Sequence, residues 1–105
     1  MKPPIICMAQ DSFPEKVRIG PIDYELSICK LKDLGRYDNA KSKISINKDT
    51  EFQQQLLTLF HETTHAILFE AGLEEYDNEV LVNVFSAGMF SFLRDNPKVL
   101  EHFKK

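Results

Sequence analysis

Two histidines flanking a glutamate and two threonines form the most reactive constellation in this chain: His61-Glu62-Thr63-Thr64-His65. Residues 51–71 read as one long helix around it. On a helix, positions four apart lie one turn above each other, roughly 5–6 Å between Cβ atoms. His61 and His65 can therefore hold one zinc ion between them. Glu62 follows the first ligand and is placed to take a proton from an activated water. Two ligands and a general base make up the H-E-x-x-H pattern of metal-assisted hydrolysis. The plain alternative is a solvated helix face that happens to carry two histidines. Leu57, Leu59, Phe60, Ala66, Ile67, Leu68 and Phe69 argue against it, because they suggest a helix buried on most sides. Buried, unpaired His and Glu would be costly, and a metal would satisfy them.

A catalytic zinc takes three protein ligands and leaves one position open. The candidates beyond His65 are Glu70, Glu74, Glu75, Asp77, Glu79 and His102. Glu70 lies five residues on along the same helix and points elsewhere. Glu74, Glu75 and Asp77 fall in a polar loop that reads as solvated. Glu79 opens a second, apolar helix, far enough on for the first to finish at Gly72 and the chain to return. An acid there is also favourable for the helix dipole alone. Asn83, one turn further, is placed either to bond a ligand imidazole or to be an ordinary satisfied core amide. Tyr76, Tyr37 and His102 are candidates for oxyanion or substrate contact, though structural roles suit them as well. A Cys7 thiolate on the zinc is a further candidate without a supporting motif.

Three of the five prolines fall in residues 1–14, an irregular lead-in. Lys16–Ile19 and Ile22–Cys29 are strand-like around the Gly20-Pro21 turn. In the second run Ile22, Tyr24, Leu26 and Ile28 alternate with Asp23, Glu25 and Ser27, the period of a half-buried strand. Gly35–Asp38 reads as a short strand. In 42–47, Ile44 and Ile46 point inward and Lys43 and Ser45 outward. Asp49 or Thr50 can cap the histidine helix, and Gly72-Leu73 can close it. Residues 79–94 form an almost wholly apolar helix, expected to be central. Asn96-Pro97 ends it, and a short tail helix follows within 97–105. Strands followed by helices make an α+β fold, with an antiparallel-rich or mixed sheet.

The 105 residues suit one domain. With 43% hydrophobic and 28% charged residues the chain is not of the disordered class. A net charge of −3 offers no reason to expect nucleic acid as a partner, and no apolar run approaches the ~18 residues of a membrane span. The first residues lack a signal peptide's apolar core. A cytoplasmic location is therefore expected; Cys7 and Cys29 could pair, but without an export signal they read better as reduced thiols.

Taken together, residues 61–65, the turn at Gly72, and Asn78-Glu79 ahead of Asn83 resemble the gluzincin metallopeptidases. Their third zinc ligand is a Glu in an Asn-Glu-x-x-x-Asp pattern. The likeness is greatest to the minigluzincins of about a hundred residues, many of them phage-encoded. It extends to His-Ala-Ile-Leu-Phe-Glu-Ala-Gly (65–72) and Phe-Leu-Arg-Asp-Asn (92–96), and covers roughly residues 35–96. Position 83 departs from the larger members, with Asn for Asp. The resemblance implies a twisted sheet packed on the histidine helix, one zinc per chain on His61, His65 and Glu79, and Glu62 as general base. It also implies that residues 42–47 form the edge strand, where Lys43, Ile44, Ser45 and Ile46 would pair with an extended peptide or unfolded protein substrate. Two alternatives stand beside the peptidase: a phage-type regulatory or interaction module that keeps the metal site without activity, and a latent enzyme whose residues 1–14 or 97–105 block the cleft.

Overall fold

The computed structural model describes residues 13–104. Four strands come first: β1 (Lys16–Ile19), β2 (Ile22–Cys29), β3 (Gly35–Asp38) and β4 (Lys43–Asn47). Helix α1 (Phe52–Glu70), a 3-10 helix (Glu74–Asp77), α2 (Glu79–Asp95) and α3 (Pro97–Glu101) follow. This is the expected α+β order. The segment read as a polar loop after Gly72 coils into the 3-10 helix instead.

The sheet is mixed, in the order β1-β2-β4-β3. β2 runs antiparallel to β1 but parallel to β4, while β3 and β4 form an antiparallel hairpin. The strand over 42–47 is therefore not an edge. β4 pairs on both sides, Ile44 with Leu26 and Tyr37, Ser45 with Ser27 and Arg36. Lys43, Ile44, Ser45 and Ile46 cannot receive a substrate strand, because their backbone groups are already bonded. The edges are β1 and β3. Periodicity reveals which face of a strand is buried but not which strands flank it, and here the short β3 folds back outside β4.

Tyr24, Leu26, Ile28, Ile44 and Ile46 make the core with Phe13, Ile19 and Ala66 of α1. Burying each large aliphatic side chain contributes about 1.5–3 kcal/mol. Phe13 thus belongs to the core and Pro14 is exposed, whereas residues 1–12 of the expected lead-in lie outside the described residues. The Tyr24 hydroxyl donates to Glu70 Oε2 at 2.6 Å and ties β2 to the last turn of α1. Burial in that setting raises the Tyr24 pKa.

The buried stripe of α1 is more polar than its apolar neighbours suggested. Gln55, Thr58, Glu62 and His65 lie on it with Ala66, while Ile67 and Phe69 are exposed. Gln55 Nε2 donates to the Asn47 carbonyl at 3.2 Å. Asn47, buried at the end of β4, donates to the carbonyls of Leu31 and Asp33, both at 3.0 Å, and accepts from the Asp49 amide at 2.9 Å. One buried amide thus pins the loop before β3 to the start of α1. It also explains why neither Asp49 nor Thr50 caps that helix. The Thr50 hydroxyl donates to the Asn47 carbonyl at 2.9 Å, Asp49 pairs with Lys48, and the cap position falls to Glu51, which makes no side-chain cap bond.

At the other end, Gly72 takes φ +80. Gly72 N–H donates to the Phe69 carbonyl at 3.0 Å and Leu73 N–H to Leu68 at 3.1 Å, the paired bonds of a Schellman cap. The chain reverses there, and Asn78 caps α2 by accepting from the Leu81 amide at 3.1 Å. α2 is not central, contrary to its composition. It packs on α1 through Val82, Ser86 and Phe90 and touches no strand. With α1 between it and the sheet, α2 meets only α1, the 3-10 helix and α3 among the described elements. α3 packs on α2 alone.

No described helix is long and apolar enough to cross a membrane. Among the described residues no cysteine is free, so Cys29 is not the reduced thiol expected. It is buried at the end of β2 and disulfide-bonded. A missing export signal bears on the compartment and not on which thiol a fold brings to another. Cys7 and its suggested metal role lie outside the described residues.

Gly35, the first residue of β3, decides how closely this strand approaches α1. A Cβ there would collide with the Thr58 methyl and stand 3.2 Å from Glu62 Oε2. Gly35→Ala is therefore expected to destabilise the fold by about 1–3 kcal/mol, the usual cost of overpacking. Adding Thr58→Ser, which removes that methyl, should recover part of the loss in denaturant unfolding. Equal stability of Gly35→Ala and wild type would show that the strand stands further off.

Candidate metal centre

Helix geometry puts His61 and His65 one turn apart, with ring centroids 5.0 Å from each other. The reversal at Gly72 brings the first residue of α2 to the same place. Glu79 Oε1 stands 3.1 Å from His61 Nε2, and Glu79 Oε2 stands 3.0 Å from His65 Nε2. One donor atom from each of the three residues lies within 4.8 Å of the others, so the group could bind a metal ion.

The donor set fits that role in detail. His65 Nδ1 lies 2.6 Å from the Tyr76 carbonyl. A carbonyl can only accept, so Nδ1 carries the proton and, in the neutral ring, the Nε2 lone pair faces Glu79 and His61. Such a bond fixes ring orientation and tautomer for metal binding. The ring of Tyr37 stacks flat on the other side of His65, centroids 5.8 Å apart and planes 5° apart. His65 is buried, His61 is half-buried, and Glu79 is open to solvent, which leaves one side of the group accessible.

Glu62 is 8% exposed and makes no hydrogen bond among the described residues. Burial pushes its pKa from 4.5 up to about 7; His65 pulls it down, and Glu79 and Asp33 add to the rise. Glu62, His61 and Glu79 line a cleft of about 800 Å³. Its walls are Lys32, Asp33, Leu34 and Gly35 on one side and Asn83, Ser86 and Ala87 of α2 on the other.

The structure thus joins His61, Glu62, His65 and Glu79. It does not use the other candidates as expected. Asn83 lines the cleft but bonds neither imidazole, because α2 turns it toward solvent; the Tyr76 carbonyl does the anchoring, a role invisible in side-chain identity. The Tyr76 ring packs edge-on against Phe69, centroids 5.1 Å apart. Among the described residues the Tyr37 hydroxyl is buried without a hydrogen-bond partner, its ring stacked on His65 rather than lining the cleft, and burial raises its pKa. His102 is exposed just after α3, away from the site. No residue of 97–104 lines the cleft, so among the described residues nothing blocks it; residues 1–12 lie outside them. Gly35 and Asp33 escaped sequence reading, although a glycine opening a strand signals close backbone approach.

Compared with protein-family models, curated proteins and solved structures, the chain matches none.

The buried Glu62 carboxyl makes a checkable contribution to stability. Its folded pKa is raised, so the contribution is full below pH 4.5 and is lost as pH rises through about 7. That rise corresponds to a loss of about 3 kcal/mol at most. In chelator-treated protein, Glu62→Gln should match wild type near pH 4.5 and be more stable at pH 8. Parallel melting curves at both pH values would show that Glu62 is not desolvated.

Proposed function

We propose that this chain is a zinc-dependent metallopeptidase of the minigluzincin kind. The observation that carries the reading is the convergence of His61, His65 and Glu79, from two helices, beside the buried Glu62 in an open cleft. His65 through Nε2, its tautomer set by the Tyr76 carbonyl, His61 through Nε2 and Glu79 through its carboxylate would hold the ion. Zinc so held supplies a Lewis acid for a peptide carbonyl and lowers the pKa of water.

The remaining work belongs to the protein. The Glu62 carboxylate accepts the proton of the attacking water and passes it to the leaving amine. The exposed backbone of β3, beside Gly35, offers hydrogen bonds to an extended peptide, a role that passes to it from β4. A substrate of peptide or unfolded protein follows from that edge, which reads backbone rather than sequence.

One observation favours a second reading, an interaction module that binds metal without peptidase activity. The described residues lining the cleft include no tyrosine and no histidine besides His61 to stabilise an oxyanion. Their side-chain N–H donors besides His61 are Lys32, Gln54 and Asn83.

Elemental analysis of protein purified without chelators should find about one zinc per chain, lost in His61→Ala and His65→Ala. Glu79→Ala should weaken zinc affinity at least about hundredfold, beyond the usual effect of an outer-sphere change, while Glu74→Ala and Glu75→Ala leave it unchanged. Glu62→Gln should keep zinc and abolish cleavage of unfolded protein. Zinc-loaded wild type that cleaves nothing would move the module reading ahead, and protein without zinc would sink both.

A further inference from the structure

Helix α2 has a second apolar face that nothing described covers. Val80, Leu81, Val84, Phe85, Met89 and Phe92 all face solvent, Val80 at 74% and Val84 at 70% exposure. At 100° per residue these positions span one side of the helix, opposite the Val82–Ser86–Phe90 side that meets α1. The face carries no charge over about 18 Å of helix. Its side chains leave roughly 600 Å² in water, the upper end for a monomer and near the ~800 Å² that each partner gives to a standard interface.

We propose that this face is the interface of a homodimer, with α2 packed antiparallel on α2 of a second copy. Leu81, Phe85, Gly88 and Phe92 fall at spacings of four, three and four, the seam of a helix pair. About a two-fold axis between residues 86 and 87, Phe85 lies over Gly88 of the other copy, Leu81 meets Phe92, and Val84 meets Met89. Large side chains face a small one, and the face is self-complementary, as a two-fold interface must be. Gly88 supports the close approach independently. It costs helix stability relative to Ala, its φ is not positive, and a Cβ there would meet nothing within 4 Å. The single chain has no packing use for its missing side chain; a neighbouring helix does. A lipid surface suits the face less well, because Glu74, Glu75 and Asp77 precede it at one end and anionic headgroups would repel them.

The cleft side of α2, with Glu79 and Asn83, stays outside this contact, so the dimer does not depend on the metallopeptidase reading. Sedimentation equilibrium of the full chain should give twice the 12.1 kDa monomer. Val84→Glu, at a largely exposed position of the monomer, should keep the circular dichroism of the fold and weaken the dimer at least tenfold. Gly88→Ala should weaken it too, although alanine favours the helix, which a purely structural glycine would not do. Val80→Lys serves as a second disruptor should Val84→Glu fail to fold. Wild type that is monomeric at roughly 100 µM, where even weak specific pairs form, would overturn the proposal, as would Val84→Glu and Val80→Lys variants that dimerise like wild type. Monomer that instead binds zwitterionic or anionic vesicles would assign the face to membrane.

Discussion

The candidate site depends on one reversal of the chain. Between Ala71 and Asn78 the backbone must stop α1, turn and start α2 with Glu79 over the histidines. Gly72 makes this possible by accepting a φ that would strain other residues. The two bonds of its cap leave little freedom in the exit direction. The 3-10 helix then sets the Tyr76 carbonyl against His65 Nδ1, so the same short segment that delivers Glu79 also orients the second imidazole. A change in this connection would disturb the position of Glu79 and the support of His65 together.

A second constraint acts from the sheet. α1 presents glutamine, threonine, glutamate and histidine to the strands, where a helix of this length would ordinarily present leucines. The fold tolerates that because the apolar weight is carried by β2 and β4, whose Tyr24, Ile28, Ile44 and Ile46 are wholly or almost wholly buried. Polar groups on α1 are met by backbone carbonyls, Gln55 by that of Asn47, Thr64 by that of Phe60 and His65 by that of Tyr76. Glu62 is the exception. It is buried with no hydrogen-bond partner among the described residues, and burial raises its proton affinity. Gly35 keeps the backbone close enough to hold it in that state.

The proposed dimer gives the apolar character of α2 a reason. Composition placed this helix at the centre of the fold, and the structure places it at the periphery with one side bare. Both observations agree if the helix is internal to a pair of chains. Helix α2 then lies between two contacts, α1 on one side and its own copy on the other, with Glu79 at its start.

Much was legible from residue order alone. Helical spacing puts His61 and His65 on one face whatever surrounds them, because it follows from 3.6 residues per turn. Alternation placed β2 and all but the first residue of the strand at 42–47, and Gly72 announced the reversal that makes Glu79 available. These are local consequences of backbone geometry. What only the tertiary structure decided is relational. β3 rather than β4 is the free edge, since register across the sheet depends on which strands find each other and not on their own patterns. His65 is held by the carbonyl of Tyr76 and not by the amide of Asn83, since every residue has a carbonyl and the sequence marks none of them. Tyr37 stacks on an imidazole rather than lining the cleft, and α2 lies outside, because burial belongs to the packed whole and hydrophobicity to the residue.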